Sequence, residues 1–511
     1  MIKDKRFLQL ILLIVILGYF IIMIRNAWVG DDGYITLRTV DNFVNGYGLT
    51  WNIGERVQAY THPLWMFLLA SVYLFTSEAF YTTIVLSVVV SAAAVILLSF
   101  RVAKSTYVAV LIVLALTLSK AFVDYSTSGL ENPLTHLLLV VFFLMFLSRE
   151  KADNRFILSL SLVASMLALT RMDNVLLVAP VFGYLLWCNR SGRTVGVMLL
   201  GFVPLILWRL FSLFYYGFLW PNTAYAKLTT GVSSMELIGQ GFYYIWSSLT
   251  IDPITVVVIT AGIAIPVVRK QWRLVMVSAG AALYLIYIVR IGGCFMSGRL
   301  LTAPLMLAII VLSQYPLKIG RTFWIAAMSV FVLGLGASRS PVYTTAEYGA
   351  ENEHMKFNRG IVDERGWYFA GAGLLNAPDD APMPTHRYAR LGRIQHRPLA
   401  VRSTVGYYGY FVGTKTYVID ICGLGDPLLA RLPFDTTQTW RIGHIYRSVP
   451  DGYAESILMK QNIIKDSALR KYYDKLSLVV RGDLLDGERL GTIIRMNLGE
   501  YDHLLETYTD N

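Results

Sequence analysis

Up to Arg339 the chain is a succession of apolar runs separated by short loops, and most runs approach the ~20 residues that cross hydrocarbon as a helix. Only 15% of the 511 residues are charged, against about 25% in a soluble globular protein. The deficit points to lipid rather than to a larger core. After Ser340 the sequence turns polar, with Glu347, Arg359, Asp363, Glu364 and Arg365 close together. The pattern reads as a polytopic α-helical membrane domain over 1–340, followed by a soluble α/β domain over 341–511.

Eleven runs are candidate spans: Phe7–Ile24, Phe80–Phe100, Ser105–Val123, Pro133–Ser148, Phe156–Thr170, Asn174–Cys188, Thr194–Phe214, Pro253–Val268, Leu274–Val289, Leu300–Tyr315 and Thr322–Ser338. The first reads as a retained helix, since no small-residue cleavage site follows it. A twelfth stretch, Leu64–Thr76, is short. If it does not cross, the loops carrying Arg101/Lys104, Arg149/Lys151/Arg155, Arg190/Arg193, Arg269/Lys270/Arg273 and Lys318/Arg321 all face the cytoplasm, as the positive-inside rule asks. Leu64–Thr76 is therefore expected to be re-entrant or interfacial, and 341–511 to be extracytoplasmic. The loops left outside are Val29–Pro63, Asp124–Asn132, Arg171–Asp173, Tyr215–Asp252 and Arg290–Arg299. They hold most of the Asp, Glu, His, Gly and aromatic residues, so chemistry is expected on that face.

In the C-terminal region Thr416–Ile421 reads as a buried strand and Leu478–Val480 and Thr492–Met496 as weaker strands. Glu455–Asn462 and Ser467–Leu476 have helical spacing. The net charge of +11 is not a continuous stripe, which excludes nucleic acid as the expected partner. Cys188, Cys294 and Cys422 make no disulfide framework.

Asp31 and Asp32 are adjacent, just past the first span. Near an interface one of the pair is raised toward the pKa of a general base. The plainer reading is a helix cap, with Asp32 capping a helix that starts near Tyr34, and the two readings are compatible. His62 is either a phosphate donor group or the cap of the helix that follows it. Glu131 and Asp173 sit near the hydrocarbon boundary, where a carboxylate needs a partner; Arg171 beside Asp173 is such a partner or a phosphate ligand. Asn222, Tyr225 and Lys227 lie in an aromatic outer loop, Lys227 as a candidate cation for phosphate. Arg299 follows a glycine-rich turn and is a phosphate clamp or an interface anchor. No zinc-type His pair, Walker motif or dinucleotide fingerprint occurs, and a divalent metal is left open.

DDGYITLRTVDNFVNGYGLTWNIGERVQAYTHPLW (31–65), TSGLENPL (127–134), TRMDN (170–174), YYGFLWPNTAYAKL (215–228), GGCFMSGR (292–299), GIVDERGWY (360–368), DICGLGDPLLARL (420–432) and WRIGHIYRSVPDGY (440–453) together resemble the GT-C glycosyltransferases. The closer likeness is to the mycobacterial terminal arabinofuranosyltransferase family. The resemblance implies a multi-pass enzyme of the bacterial inner membrane. It also implies an outward-facing site and a polyprenyl-phosphate pentofuranose, such as D-arabinofuranose, as donor. The expected acceptor is a surface glycan or glycoprotein: a polysaccharide, lipopolysaccharide or pilin. Asp31 and Asp32 are then the catalytic pair; His62, Arg171, Lys227 and Arg299 serve the donor phosphate; Glu131, Asp173, Asn222 and Tyr225 bind substrate. Cys294 stands where the resemblance leads one to expect aspartate, which bears on specificity. A transporter or flippase would place polar residues in mid-span, and the spans are nearly free of charge there. A non-catalytic assembly protein is the remaining alternative, against which the Asp31-Asp32 pair argues.

Overall fold

A computed structural model describes residues 2–228, 231–349, 358–434, 440–506 and 508. The chain is mostly helical and forms two compact units, each assembled from three separated stretches. One comprises Met1–Gly30, Phe80–Leu205 and Ser234–Pro384; the other comprises Asp31–Ala79, Ile206–Ser233 and Thr385–Asn511.

The first unit is a helical bundle. At its centre lies Thr302–Leu312 (TAPLMLAIIVL), buried from Thr302 through Val311. A helix apolar on every side belongs inside a bundle, and this one packs against Pro253–Val268, Trp272–Arg290 and Asn132–Ser148. Among the described residues Arg6–Arg25, Phe80–Val102 and Trp272–Arg290 are long and apolar enough to cross a membrane, and seven shorter apolar helices of 10–17 residues accompany them. Two further candidates are pairs of helices bent at a short break, one of them Ser234–Ile251 with Pro253–Val268 at 113°.

Three expectations for local structure are corrected. The Ser105–Val123 run is two helices, Thr106–Leu118 and Lys120–Asp124, because the Ser119 hydroxyl accepts from Phe122 N and starts a new helix. The Tyr215–Asp252 loop contains two helices, Asn222–Leu228 and Ser234–Ile251. Ser234–Ile251 is amphipathic: Gln240, Tyr244, Ser247 and Ser248 are buried, while Met235, Phe242 and Trp246 are exposed. Leu478–Val480 and Thr492–Met496 are helical, within Ser467–Arg481 and Gly487–Asn497. Leu469, Tyr472, Tyr473, Leu476, Val479 and Val480 line one face at helical spacing, and Asp466 caps the start by accepting from Leu469 N.

In the second unit, β1 (Leu399–Arg402) pairs in parallel with β2 (Tyr417–Asp420), with Leu399 opposite Tyr417 and Arg402 opposite Asp420. The expected strand at Thr416–Ile421 is β2. Outer-loop segments close around this sheet. The Asn52 side chain exchanges two hydrogen bonds with the Val418 backbone, and Arg489 donates to Phe214 O and Tyr215 O. Gly217 has φ +83, and a side chain there would meet Val479 Cγ1 at 2.1 Å. Ile35, Trp51 and Ala59 thus share one core with Ala400, Tyr408 and Val418, and Phe218 joins a second with Ile419, Leu428 and Val479.

Helix packing in the first unit depends on close backbone approach. A Cβ at Gly280 would lie 2.0 Å from Leu177 O, whereas one at Gly183 meets nothing within 4 Å. Gly280→Ala should lower thermal stability in detergent by about 1–3 kcal/mol through overpacking, and Gly183→Ala should leave it nearly unchanged. Equal melting temperatures for the two variants would contradict this packing.

Candidate functional site

The sequence reading put ten candidate residues on one face. The structure assigns Asp31, Asp32, His62, Asn222, Tyr225 and Lys227 to the second unit, and Glu131, Arg171, Asp173 and Arg299 to the first.

In the second unit the Asp31–Val44 helix carries both adjacent carboxylates in its first turn, two residues earlier than a cap by Asp32 would require. Asp31 is buried, and its oxygens accept from Gly406 N at 2.9 Å and Tyr407 N at 2.8 Å. It therefore caps the Gly406–Phe411 helix rather than its own. A Cβ at position 406 would meet Asp31 O at 1.7 Å, so only glycine fits. Tyr34 packs on Tyr407, Tyr410 and Phe411. Arg38 completes the joint by donating to Trp51 O, Gly409 O and Thr416 O. Burial pushes the Asp31 carboxyl up to about 7; the Tyr407 and Gly406 amides oppose the rise, and Asp32 and Asp420 add to it. Asp32 differs from its neighbour. It is half-buried, and among the described residues its carboxylate has no hydrogen bond or ion pair.

Two further buried carboxylates, not singled out in the sequence, shape this corner. Asp420 at the end of β2 accepts from the backbone amides of Cys422, Leu424 and Gly425, at 2.9, 2.7 and 3.0 Å. Asp426 accepts from Leu428 N, Leu429 N and the Tyr453 hydroxyl. Burial raises Asp420 to about 6 and, with Glu55 as the next cause, Asp426 to about 7. Asp420 fell in the strand read as buried and Asp426 in the turn after it, but nothing local in the sequence marked either carboxylate as an acceptor of backbone amides.

The remaining candidates here divide by occupation. His62 is buried, with Nε2 2.8 Å from the Thr36 hydroxyl. The Asn222 amide donates to Gly423 O and Asp426 O and accepts from Arg431 Nη1, so it fixes the Asn222–Leu228 helix on the turn after β2. Arg431 lies over the Tyr225 ring at 4.5 Å. Lys227 is exposed, and among the described residues its ammonium has no ion pair or hydrogen bond.

In the first unit the other four candidates converge on one another. Arg171 grips Asp173 with two parallel bonds, 2.9 and 2.6 Å, and reaches Glu131 at 3.2 Å. Arg299 holds the same carboxylate at 3.0 and 3.2 Å. The fully buried Glu131 thus lies between two guanidiniums, and two cations balance two anions. Cys294 is half-buried, its sulfur accepting from Met296 N. All three cysteines carry free thiols.

A second buried network was not foreseen. Lys120 pairs with Asp124 and, at 3.1 Å, with Asp363. Arg365 pairs with Asp124 at 2.5 Å, Arg339 with Asp363 at 3.1 Å, and the Tyr348 hydroxyl donates to Asp363. Burial would raise the Asp363 carboxyl, but Lys120 and Arg365 hold it well below the ordinary value. The available signal was Lys120, a lysine in a run read as a span. Among the described residues no three His, Cys, Asp or Glu side chains converge to hold a metal, so no step is routed through one.

With this geometry in hand, the chain's likeness to known proteins is informative. In class, its relatives are glycosyltransferases. In particular, it is 26% identical over 527 aligned residues to the terminal beta-(1->2)-arabinofuranosyltransferase of Mycobacterium tuberculosis, covering 84% of this chain and 82% of that protein. It is 26% identical over 401 residues to the protein of the same name in Corynebacterium glutamicum, covering 70% of this chain and 57% of that one. No family model matches the chain. These likenesses bear out its reading as a glycosyltransferase.

Asp31, Asp420 and Asp426 are all raised above the ~3.9 of an unfolded aspartate, so between about pH 4 and 7 the folded state holds more protons than the unfolded one. Stability is then fully present at the acid end and falls as pH rises through that window. The buried imidazoles of His386 and His444, held below their usual value, act in the opposite direction, so the aspartate contribution is read by difference: Asp426→Asn should gain melting temperature relative to wild type at pH 8 and not at pH 5.5. An equal difference from wild type at the two pH values would refute the assignment. In the first unit, Arg365→Met leaves Asp124 and Asp363 sharing Lys120 and should cost up to about 3–5 kcal/mol, read as a fall in melting temperature.

Proposed function

We propose that the protein transfers a pentofuranosyl group, D-arabinofuranose, from a polyprenyl-phosphate donor to a hydroxyl of a cell-surface acceptor. The reaction takes place on the outer face of the bacterial cytoplasmic membrane. The donor's prenyl tail stays in lipid, and the acceptor is a polysaccharide, lipopolysaccharide or pilin. The names of the two relatives support the sugar. The apolar helices support the membrane setting, and the basic loops support an extracytoplasmic 341–511.

The observation that carries the mechanism is the inequality of the two adjacent aspartates. Asp31 uses both oxygens to hold the Gly406–Phe411 helix, whereas Asp32 keeps its lone pairs open beside it. Asp32 is the general base and Asp31 the positioning residue that fixes the turn. The acceptor oxygen attacks the anomeric carbon, its proton passes to Asp32, and the bond from that carbon to the phosphate oxygen breaks with its electron pair left on phosphate. Arg171 and Arg299 keep a different role: clamped on Glu131 and Asp173, they hold the turns of the first unit in shape.

Two experiments test this reading. Asp32→Asn should express and melt like wild type yet lose about a hundred- to ten-thousand-fold in transfer from a polyprenyl-phosphate sugar. Asp31→Asn should lose stability, by about 0.5–2 kcal/mol for a weakened cap, with a smaller loss in rate. Near-normal transfer by a folded Asp32→Asn enzyme would remove Asp32 as base. For topology, alkaline phosphatase fused after Ser340 should be active and one fused near Arg190 inactive; the reverse pattern would place the chemistry in the cytoplasm.

A further inference from the structure

The corner of the second unit that carries Asp32 also gathers positive charge from two segments remote in sequence. Asn222 anchors the first by donating to Gly423 O and Asp426 O, and the Asn222–Leu228 helix ends with Lys227 exposed in its last turn. Arg447 anchors the second. Its backbone N–H donates to Ile421 O at 2.9 Å, and its Nη2 donates to Ala226 O at 2.8 Å. This one residue therefore joins position 226, beside Lys227, to position 421, beside Cys422. Just before it, Arg441 and His444 close a tight turn in which His444 N donates to Arg441 O at 2.9 Å. Cys422 lies near all of these charges: burial pushes its thiol up, Asp420 and Asp32 add to the rise, and Lys227 and Arg441 oppose it. His444 lies within reach of both cations, and burial together with Arg441 and Lys227 keeps its imidazole neutral.

We propose that Lys227 and Arg441 form the lobe that binds the donor's phosphate, with Arg441 as a binding residue additional to Lys227. This inference rests on the lipid-phosphate reading above. A polyprenyl-phosphate sugar is a diester with one negative charge. When the bond to the sugar breaks, the departing oxygen keeps the electron pair and the phosphate gains a second charge. Two cations meet that developing charge. Asp32 and Asp420 repel the phosphate. The donor is therefore oriented by charge, with its phosphate drawn to Lys227 and Arg441 and the attacking hydroxyl to Asp32.

The test is binding of farnesyl phosphate to the full-length protein in detergent, measured by titration calorimetry. Lys227→Met and Arg441→Gln should each weaken binding at least tenfold with unchanged melting temperature, and Arg441→Lys should recover most of the loss. Lys465→Met, which removes a cation from the exposed pair with Asp451, should bind like wild type. If Lys227→Met and Arg441→Gln both bind within twofold of wild type, the lobe is overturned while the donor class stands. If wild-type protein binds no farnesyl phosphate, the donor class itself fails.

Discussion

An ionised side chain where a helix leaves hydrocarbon is tolerated only beside its counter-charge. In the first unit that requirement decides which segments must meet. Glu131 has no exposure to water and is held by Arg171 and Arg299 from two other turns. Lys120, Asp124, Asp363 and Arg365 fasten the Glu364–Ala372 helix to the Lys120–Asp124 helix. Removing a cation leaves a buried carboxylate with less counter-charge than it needs. The turns joining the apolar helices are thus fixed by a few ion pairs, and the polar loops become a rigid platform.

The second unit meets the same problem with backbone amides instead of cations. Asp31, Asp420 and Asp426 each accept two or three N–H bonds from a turn or a helix start. A carboxylate held this way stays buried without an arginine. The contrast gives Asp32 its meaning. It shares a turn with Asp31 and lies within reach of Asp420, yet it is the member of the group left with open lone pairs among the described residues.

Much of this was legible in the sequence, for reasons that can be named. Apolar runs announce helices because lipid permits little else, and Asp31-Asp32, Glu131 and Asp173 stood out as carboxylates beside apolar runs. The pairing of Arg171 with Asp173 follows from their spacing. The partner of Asp31 did not: Gly406 is 375 residues away, and no local rule links them. Ser467–Arg481 was read as a helix that gave way to a strand at Leu478, because Leu-Val-Val favours strands locally; the cap at Asp466 and the stripe through Val480 outweigh that preference. Ser234–Ile251 was read as loop because its buried face is polar and its exposed face apolar, the inverse of a helix in water.

The distance between Asp31 and Gly406 also orders events in the life of each molecule. At ~5–20 residues per second, a ribosome needs roughly 20 to 75 s to make the chain between them. Throughout that interval the Asp31–Val44 helix exists without the amides that cap onto its first carboxylate and without the carbonyls that Arg38 grips. The helix that carries Asp31 and Asp32 is thus synthesised early and fastened late. A molecule cut short before Gly406 keeps both aspartates but lacks the amides that hold Asp31, so half-made copies carry the pair unfastened.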